Sequence, residues 1–169
     1  MEIIREPGLF GTGPRPVHLH SGSPTPYREG EVFRIIPEQA DPWLANVQTG
    51  CDGFSIIQRW EKEKRAHLIV NGDCYLIHPE QPEDWKLIHQ DVLEYRFLTP
   101  LNIALITNYS DLFAINSAGT QLWSNPIAFY GIEFTLIDDQ FVKGFACYDA
   151  SERWAPFTIC LSDGELLNE

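Results

Sequence analysis

The 169-residue sequence lacks most of the features that would place it in a membrane or on an export pathway. No apolar window approaches the ~18 residues that a membrane span needs. The first residues show no basic leader followed by an apolar run, so no secretory signal is expected. From these absences we expect a cytoplasmic protein with no membrane partner.

The cysteines lack the spacing of a metal or redox motif. The chain has four of them, Cys51, Cys74, Cys147 and Cys160, and no two form a Cys-x-x-Cys pair. In a cytosolic protein they would stay reduced and act as small, partly buried hydrophobic side chains. Cys147 and Cys160 fall on strands that should be neighbours, and they could pair if their Cα atoms came within about 7 Å.

Basic residues are scarce. The chain has 12 Lys and Arg against 24 Asp and Glu, a net charge of −12. Nucleic acids and anionic membranes are bound through patches of Lys and Arg, so both are excluded as expected partners. The same negative charge makes a basic protein an expected partner. The alternative is that the acidic residues serve only to keep the protein soluble.

Signatures of catalysis and of phosphate binding are missing as well. No Gly-x-Ser-x-Gly elbow occurs, and Gly11-Thr-Gly13-Pro14 lacks the Lys-Ser/Thr of a phosphate loop. We therefore assign no catalytic and no cofactor-binding residue. An enzyme is the less expected class, and no cofactor is expected.

Two histidines, His18 and His20, have the His-x-His spacing that places both imidazoles on one side of an extended chain. A metal would need further ligands from distant residues, either a carboxylate or one of His67, His78 and His89. The simpler interpretation is two surface histidines in a flexible arm, and we assign no metal ligand.

The main feature of the sequence is a series of patterns typical of short β-strands. Aromatic residues make up 12% of the chain, and Asn71-Gly72 supplies the positive φ of a tight hairpin. About ten strands follow one another with turn residues every eight to twelve positions. This pattern predicts an all-β fold, an antiparallel sandwich or barrel, with a propeller-like set of blade sheets as the alternative.

Within a single β-rich domain over 1–169, the first part of the chain is expected to be irregular. Residues 7–30 hold five of the 12 Pro and five of the 12 Gly, which predicts an arm or a long loop. Further on, Asp41 as a cap and Pro42 at the first helical position predict one helical turn within 38–45.

Three segments share the order strand, polar turn and Trp, ending at Trp85, Trp123 and Trp154. The first two Trp residues are 38 positions apart, near the spacing of propeller blades. The stretch 111–123 resembles the quinoprotein-type blade pattern that ends in Ala-x-x-Gly-x-x-x-Trp. That resemblance implies a blade-like antiparallel sheet.

A second resemblance covers 111–167. Its motifs are Trp123-Ser124, Gly131-Ile132, Lys143-Gly144, Trp154-x-Pro156-Phe157 and Asp163-x-Glu165. They are similar to the C-terminal half of a broad group of uncharacterised bacterial β-rich proteins, although Tyr130 stands where that group favours Asp. The resemblance implies a bacterial β domain and carries no catalytic residue.

These observations favour a non-enzymatic protein-interaction or regulatory module, for example of the immunity type, whose acidic surface meets a basic protein. The alternative is a small-molecule-binding or metal-dependent enzymatic domain with its site under the N-terminal arm. A homo-oligomer joined through edge strands is a third possibility. The five Trp residues are expected to cap the core at strand ends.

Overall fold

The computed structural model describes residues 1–22, 30–51 and 53–167, and every helix or strand assigned in these ranges is a β-strand. The described residues contain no helix with the length and apolar character that a membrane crossing requires. The chain divides into two compact units, Met1–Asp91 (unit 1) and Val92–Glu169 (unit 2). A single domain over 1–169 stays a prediction.

Unit 1 consists of two four-stranded sheets. The first has the order β1-β3-β4-β2 and the second is the meander β5-β6-β7-β8. The strands are β1 (Glu2–Glu6), β2 (Val17–Leu19), β3 (Glu31–Ile36), β4 (Trp43–Val47), β5 (Ile56–Trp60), β6 (Arg65–Val70), β7 (Asp73–His78) and β8 (Gln81–His89).

Unit 2 consists of two further antiparallel meanders. One has the order β12-β11-β10-β9 and the other β13-β14-β15. The strands are β9 (Glu94–Leu98), β10 (Ile103–Thr107), β11 (Asp111–Ile115), β12 (Gln121–Pro126), β13 (Ile132–Ile137), β14 (Phe141–Cys147) and β15 (Trp154–Cys160).

The predicted all-β, mainly antiparallel fold is confirmed, but the predicted number of strands is too low. The described residues contain 15 strands in four open sheets, against about ten expected. Three of the strands that the pattern did not predict, β1, β2 and β4, lie before residue 48, where Pro and Gly break the alternation of apolar and polar residues. None of the four described sheets closes as a barrel, and the finer choice between a sandwich and a set of blades stays a prediction.

The 7–30 segment contributes a strand where an arm was expected. Val17–Leu19 pairs with β4 in a parallel direction, so one pair departs from the antiparallel rule. Leu19 is buried, and its carbonyl accepts a hydrogen bond from the Gln48 amide at 2.8 Å. Pairing with β4 thus orders three residues whose own sequence favours a loop. Residues 23–29 of this segment lie outside the described residues.

The helical turn predicted over 38–45 is wrong, because Trp43–Val47 forms β4. All five of its residues are buried, and β4 is paired on both edges, with β3 and with β2. The indole N–H of Trp43 donates to the Pro79 carbonyl at 2.8 Å. Burial and strand pairing outweigh the local preference that Pro42 gives for a helix start.

Each unit has its own apolar core, formed by both of its sheets. In unit 1, Phe33 and Ile35 of the first sheet share a cluster with Leu68 and Tyr75 of the second. In unit 2, Leu105 and Ala114 share a cluster with Val142 and Ile159. Full burial of one such aliphatic side chain contributes about 1.5–3 kcal/mol to stability, so the pairing of sheets holds each unit together.

The strand, turn and Trp repeat corresponds to three hairpins. Trp85 pairs with Ile77, Trp123 with Ala114 and Trp154 with Cys147, in each case across a turn from the preceding strand. Trp123 is buried, and its indole N–H donates to the Leu161 carbonyl at 2.9 Å. Trp123 therefore has the predicted role of capping the core. Trp154 does not, because it is 43% exposed.

The conditional disulfide between Cys147 and Cys160 is not formed, and all four cysteines are free. Both residues lie on the β14–β15 ladder, but Cys147 pairs with Trp154 whereas Cys160 pairs with Phe141. At about 3.3 Å per residue, the two Cα atoms are roughly 20 Å apart. A disulfide needs a Cα separation below about 7 Å, so the register excludes the bond.

Gly144 lies on β14 where the neighbouring strand β13 and the Phe157 ring leave no room for a side chain. A Cβ added there would lie 2.0 Å from the Glu133 carbonyl oxygen and 2.8 Å from the Phe157 ring. By contrast, a Cβ added at Gly11 would meet no atom within 4 Å. The backbone of β13 and the Phe157 side chain therefore occupy the space that any other residue at 144 would need.

We expect Gly144→Ala to lower the free energy of unfolding by about 1–3 kcal/mol, because strand β13 or the Phe157 ring must move to admit the methyl group. Urea unfolding followed by circular dichroism measures the change. Gly11→Ala is the control and should stay within about 0.5 kcal/mol of the wild type. Equal stability of the two variants would show that the β13–β14 pair is looser than described.

Candidate functional site

The two histidines that the sequence proposed as a pair, His18 and His20, have different partners in the structure. The His18 Nδ1 lies 3.0 Å from the Asn46 amide nitrogen, and the Asn46 oxygen accepts a hydrogen bond from the Gly30 amide. The Asn46 amide group therefore donates to His18, which places the imidazole proton on Nε2. The His20 ring instead packs edge-on against Trp85, with 5.4 Å between the ring centroids.

The remaining histidines do not complete a metal site. His67 is fully buried on β6 beside the Trp60 ring, and His89 is partly buried at the end of β8. In the part of the chain that the structure describes, no three His, Cys, Asp or Glu residues are placed to hold a metal ion. Burial lowers the pKa of both His67 and His89.

A shallow pocket does lie beside the N-terminal segment, where the alternative interpretation expected a site. It has a volume of about 260 Å³ and is lined by Phe10, Thr12, Pro14, Arg34, Pro42, Trp43 and Leu44. The Arg34 guanidinium lies 5.6 Å from the Phe10 ring centroid and 2.6 Å from a Glu6 carboxylate oxygen. Its charge is already balanced by Glu6, and His18 and His20 do not line this pocket.

The most distinctive feature of the surface is a group of exposed aromatic side chains in unit 2. We call this group the aromatic end. Its members are Tyr109, Phe129, Tyr130, Tyr148 and Trp154, with exposed fractions from 41% to 64%. Soluble proteins rarely leave several large aromatic side chains exposed side by side unless they bind something.

Three separate turns bring these residues together. Tyr109 lies between β10 and β11, Phe129 and Tyr130 lie between β12 and β13, and Tyr148 and Trp154 flank the turn between β14 and β15. Since the strands are antiparallel, all three connections lie at the same end of their sheets. The Tyr109 and Tyr130 rings are 5.8 Å apart between centroids.

Backbone hydrogen bonds fix the three turns to one another. The Gly131 amide donates to the Tyr109 carbonyl at 2.7 Å, and the Phe129 amide donates to the Cys147 carbonyl at 2.7 Å. The Cys147 amide in turn donates to the Gly131 carbonyl at 3.0 Å. The aromatic side chains are therefore mounted on a hydrogen-bonded frame, which limits the entropy lost when they bind.

Gly131 also determines where the Trp154 ring can lie. Its φ of +131° is a conformation that other L-residues rarely adopt, and a Cβ built there would be 3.1 Å from the Trp154 ring. The indole can lie over the backbone at 131 because that residue has no side chain.

Acidic residues surround the aromatic end. Asp149 forms an ion pair with Arg153 within the β14–β15 turn, and this partner holds the pKa of the Asp149 carboxyl well below its usual range. Glu152 in the same turn is exposed, and Asp111 follows the Tyr109-Ser110 turn directly. The local field is negative, because Arg153 is the one basic residue in these three turns and Asp149 neutralises it.

Unit 2 as a whole differs from unit 1 in both apolar exposure and charge. Ten of the thirteen large exposed hydrophobic residues that the structure describes belong to unit 2. The sequence of unit 2 carries ten acidic residues and only three basic ones, Arg96, Lys143 and Arg153. Arg96 is paired with Glu94 at 2.6 Å.

Sequence reasoning recognised the aromatic residues but not their arrangement. Phe129, Tyr130 and Tyr148 were not expected at a binding surface, and Trp154 was expected to cap the core with the other Trp residues. The signal that could have marked them is their position in turns, where an apolar side chain has no sheet face to cover. No pattern along the chain indicated that the three turns meet.

Comparisons of the chain with protein-family models, with curated proteins and with solved structures found no match. The resemblances to quinoprotein-type blades and to bacterial β-rich proteins therefore stay predictions.

We expect His67 to make unit 1 sensitive to acid. Burial, with smaller contributions from Lys86 and His89, lowers the pKa of His67 to about 3. Between pH ~6.5, the pKa in an unfolded chain, and pH 3, the unfolded chain binds a proton that the folded chain refuses. The free energy of unfolding should therefore fall as the pH falls, by up to about 1.4 kcal/mol per pH unit from this residue.

His67→Leu should remove that part of the slope while leaving the contribution of His89. Urea unfolding of both proteins at about pH 7 and pH 5 measures the difference. An equal loss of stability in wild type and variant would show that His67 is protonated in the folded protein.

We expect Gly131→Ala to disturb the aromatic end. The substitution forces a methyl group toward the Trp154 ring and places alanine at an unfavourable φ, at a cost of about 1–3 kcal/mol. Tryptophan emission should change in Gly131→Ala, and the change should be absent when both proteins also carry Trp154→Phe. An unchanged emission spectrum in the first comparison would contradict the contact.

Proposed function

We propose that the protein is a non-enzymatic protein-interaction module that binds a basic protein through the aromatic end of unit 2. The observation that carries this proposal is the group of five exposed aromatic residues held on three hydrogen-bonded turns. Exposed aromatic rings held in fixed positions serve binding, which is the activity that we propose.

Tyr and Trp suit such a surface for energetic reasons. Each buries about 150–250 Å² when covered and loses little conformational freedom, which is why both are enriched among the residues that dominate interface energies. The Tyr130 side chain is 64% exposed and Phe129 is 59% exposed. A partner that covers them would remove apolar area from water without having to displace part of the core.

The charge of unit 2 supports a basic partner. Ten acidic residues against three basic ones would attract a positively charged surface and repel an acidic one. Lys and Arg side chains of the partner could also lie on the aromatic faces, which attract cations. Attraction of this kind weakens as salt is added, because exposed charges are screened within about 10 Å at 0.1 M salt.

A regulatory or immunity-type role is the concrete form that we propose. An acidic, aromatic surface that covers a basic groove on another protein would block access to that groove. The bacterial and cytoplasmic setting belongs to the same proposal, and the sequence resemblance over 111–167 supports the bacterial part of it.

The pocket beside the N-terminal segment supports a second candidate, a domain that binds a small molecule. Phe10 and Trp43 offer ring faces there, and Arg34 offers a cation. The pocket is open and smaller than the ~300 Å³ typical of ligand sites, and Arg34 is already paired. We therefore rank it below the aromatic end.

The test is capture of partners by three purified proteins: wild type, the double variant Phe129→Ser with Tyr130→Ser, and the control Phe10→Ser. The double variant removes two rings that are mostly in water, so the fold should survive. Phe10 is 49% exposed in unit 1, which makes it a matched aromatic residue elsewhere on the chain.

We expect a basic protein to be captured by wild type and by Phe10→Ser, and lost by the double variant. With that protein purified, the double variant should bind at least about tenfold more weakly, and raising the salt should weaken wild-type binding. Light scattering of the free protein identifies self-association. A captured protein that is acidic, or that binds the double variant equally well, would refute the proposal.

A further inference from the structure

A second surface of unit 2 carries an open apolar groove. It is lined by Leu101, Ile103, Leu122, Asp139, Gln140, Phe141, Cys160, Leu161 and Ser162, and its volume is about 440 Å³. That size falls within the ~300–1,000 Å³ range of small-ligand sites. Leu101 follows β9 and Tyr109 follows β10, so the groove and the aromatic end lie at opposite ends of β10.

The floor and the walls of the groove differ in character. Ile103 and Leu161 form the floor, are buried and belong to the core of unit 2. Leu101 and Leu122 form walls, and they are 39% and 50% exposed. Two half-exposed leucines beside a core floor leave an apolar slot that water fills poorly, so an aliphatic chain would be stabilised there.

The turns that border the groove are held by hydrogen bonds. The Asp138 carboxylate accepts from the Gln140 amide at 2.8 Å and from the Phe141 amide at 2.7 Å, and the Leu161 amide donates to the Gln140 carbonyl at 2.8 Å. The β13–β14 turn is thereby tied to the end of β15. Because these turns are already ordered, the protein loses little conformational entropy when a ligand enters the groove.

The charge at the groove selects among apolar ligands. Asp139 is the one charged residue among those described in the lining of the groove. Asp138 precedes Asp139 in the sequence, and Asp163 follows the lining residue Ser162. Of the three basic residues of unit 2, Arg96 and Arg153 are paired with carboxylates, and Lys143 is two residues beyond Phe141 on β14. The groove should thus favour a cationic head group and disfavour an anionic one.

We infer that this groove binds a small ligand with an aliphatic body and a protonated amine. The aliphatic chain would lie between Leu101 and Leu122 over Ile103 and Leu161, and the ammonium group would face Asp139. The inference does not depend on the proposed function, because it uses different residues of unit 2.

The experiment titrates the whole protein with three probes of equal chain length, namely heptylammonium, heptanol and heptanoate, at neutral pH. Binding is followed by the backbone amide signals of Gln140, Phe141 and Leu161. Alkylation of Cys160 in a Cys51→Ser background gives an independent readout of location, since Cys160 lines the groove and Cys51 is the exposed cysteine.

Three variants are compared with wild type. Leu122→Ser shortens a wall, and Leu136→Ser is its matched control because Leu136 is 51% exposed but does not line the groove. Asp139→Asn removes the charge and keeps the shape. All three residues are at the surface, so folding should be retained, and circular dichroism confirms this before titration.

We expect heptylammonium to bind about two- to fivefold more tightly than heptanol, heptanoate to bind most weakly, and the ammonium to slow the alkylation of Cys160. Leu122→Ser should weaken binding about fivefold or more, and Leu136→Ser should leave it unchanged. Asp139→Asn should abolish the preference for the amine.

Three results would overturn the inference. The first is that heptanoate binds as well as heptylammonium, and the second is that Leu122→Ser and Leu136→Ser behave alike. The third is tighter binding of a short peptide that carries leucine beside lysine, which would make the groove a protein contact and not a small-ligand site.

Discussion

The constraint on which the rest of the structure depends is the packing of two small sheets over one apolar core in each unit. A sheet has two faces, and side chains alternate between them along each strand. On β14 the alternation directs Val142 and Ala146 inward, with Gly144 between them where the neighbouring strand and the Phe157 ring come close. Side chains that the core does not need are left for the outer face and for the turns.

The aromatic end follows from that division. Trp123 is buried and its indole N–H is bonded to the Leu161 carbonyl, so it serves the core. Tyr109, Tyr130 and Trp154 lie in or beside turns, where no sheet face covers them. The hydrogen bonds described between the turns use backbone groups. Removing an exposed ring should therefore cost binding more than folding.

The sequence predicted the fold class because its strands after residue 54 alternate regularly and because Asn71-Gly72 marks a hairpin. It did not predict β1, β2 and β4. Those strands depend on pairing between distant residues, such as Glu2 with Ile36. The aromatic end was not predicted for the same reason. It depends on a contact between distant residues, the backbone hydrogen bond between Tyr109 and Gly131, which are separated in sequence by two strands.

Two occupants of the aromatic end can be compared, a basic partner and a second copy of the chain. The negative charge of the aromatic end favours the basic partner. In a two-fold symmetric pair the same surface faces itself, so Glu152 and Asp111 would face an equally acidic surface. Like charges brought together at an interface cost several kcal/mol unless they are paired, and Arg153 is already used by Asp149. The apolar attraction between two aromatic ends would thus be opposed by repulsion, whereas a basic surface would add attraction to the same apolar contact.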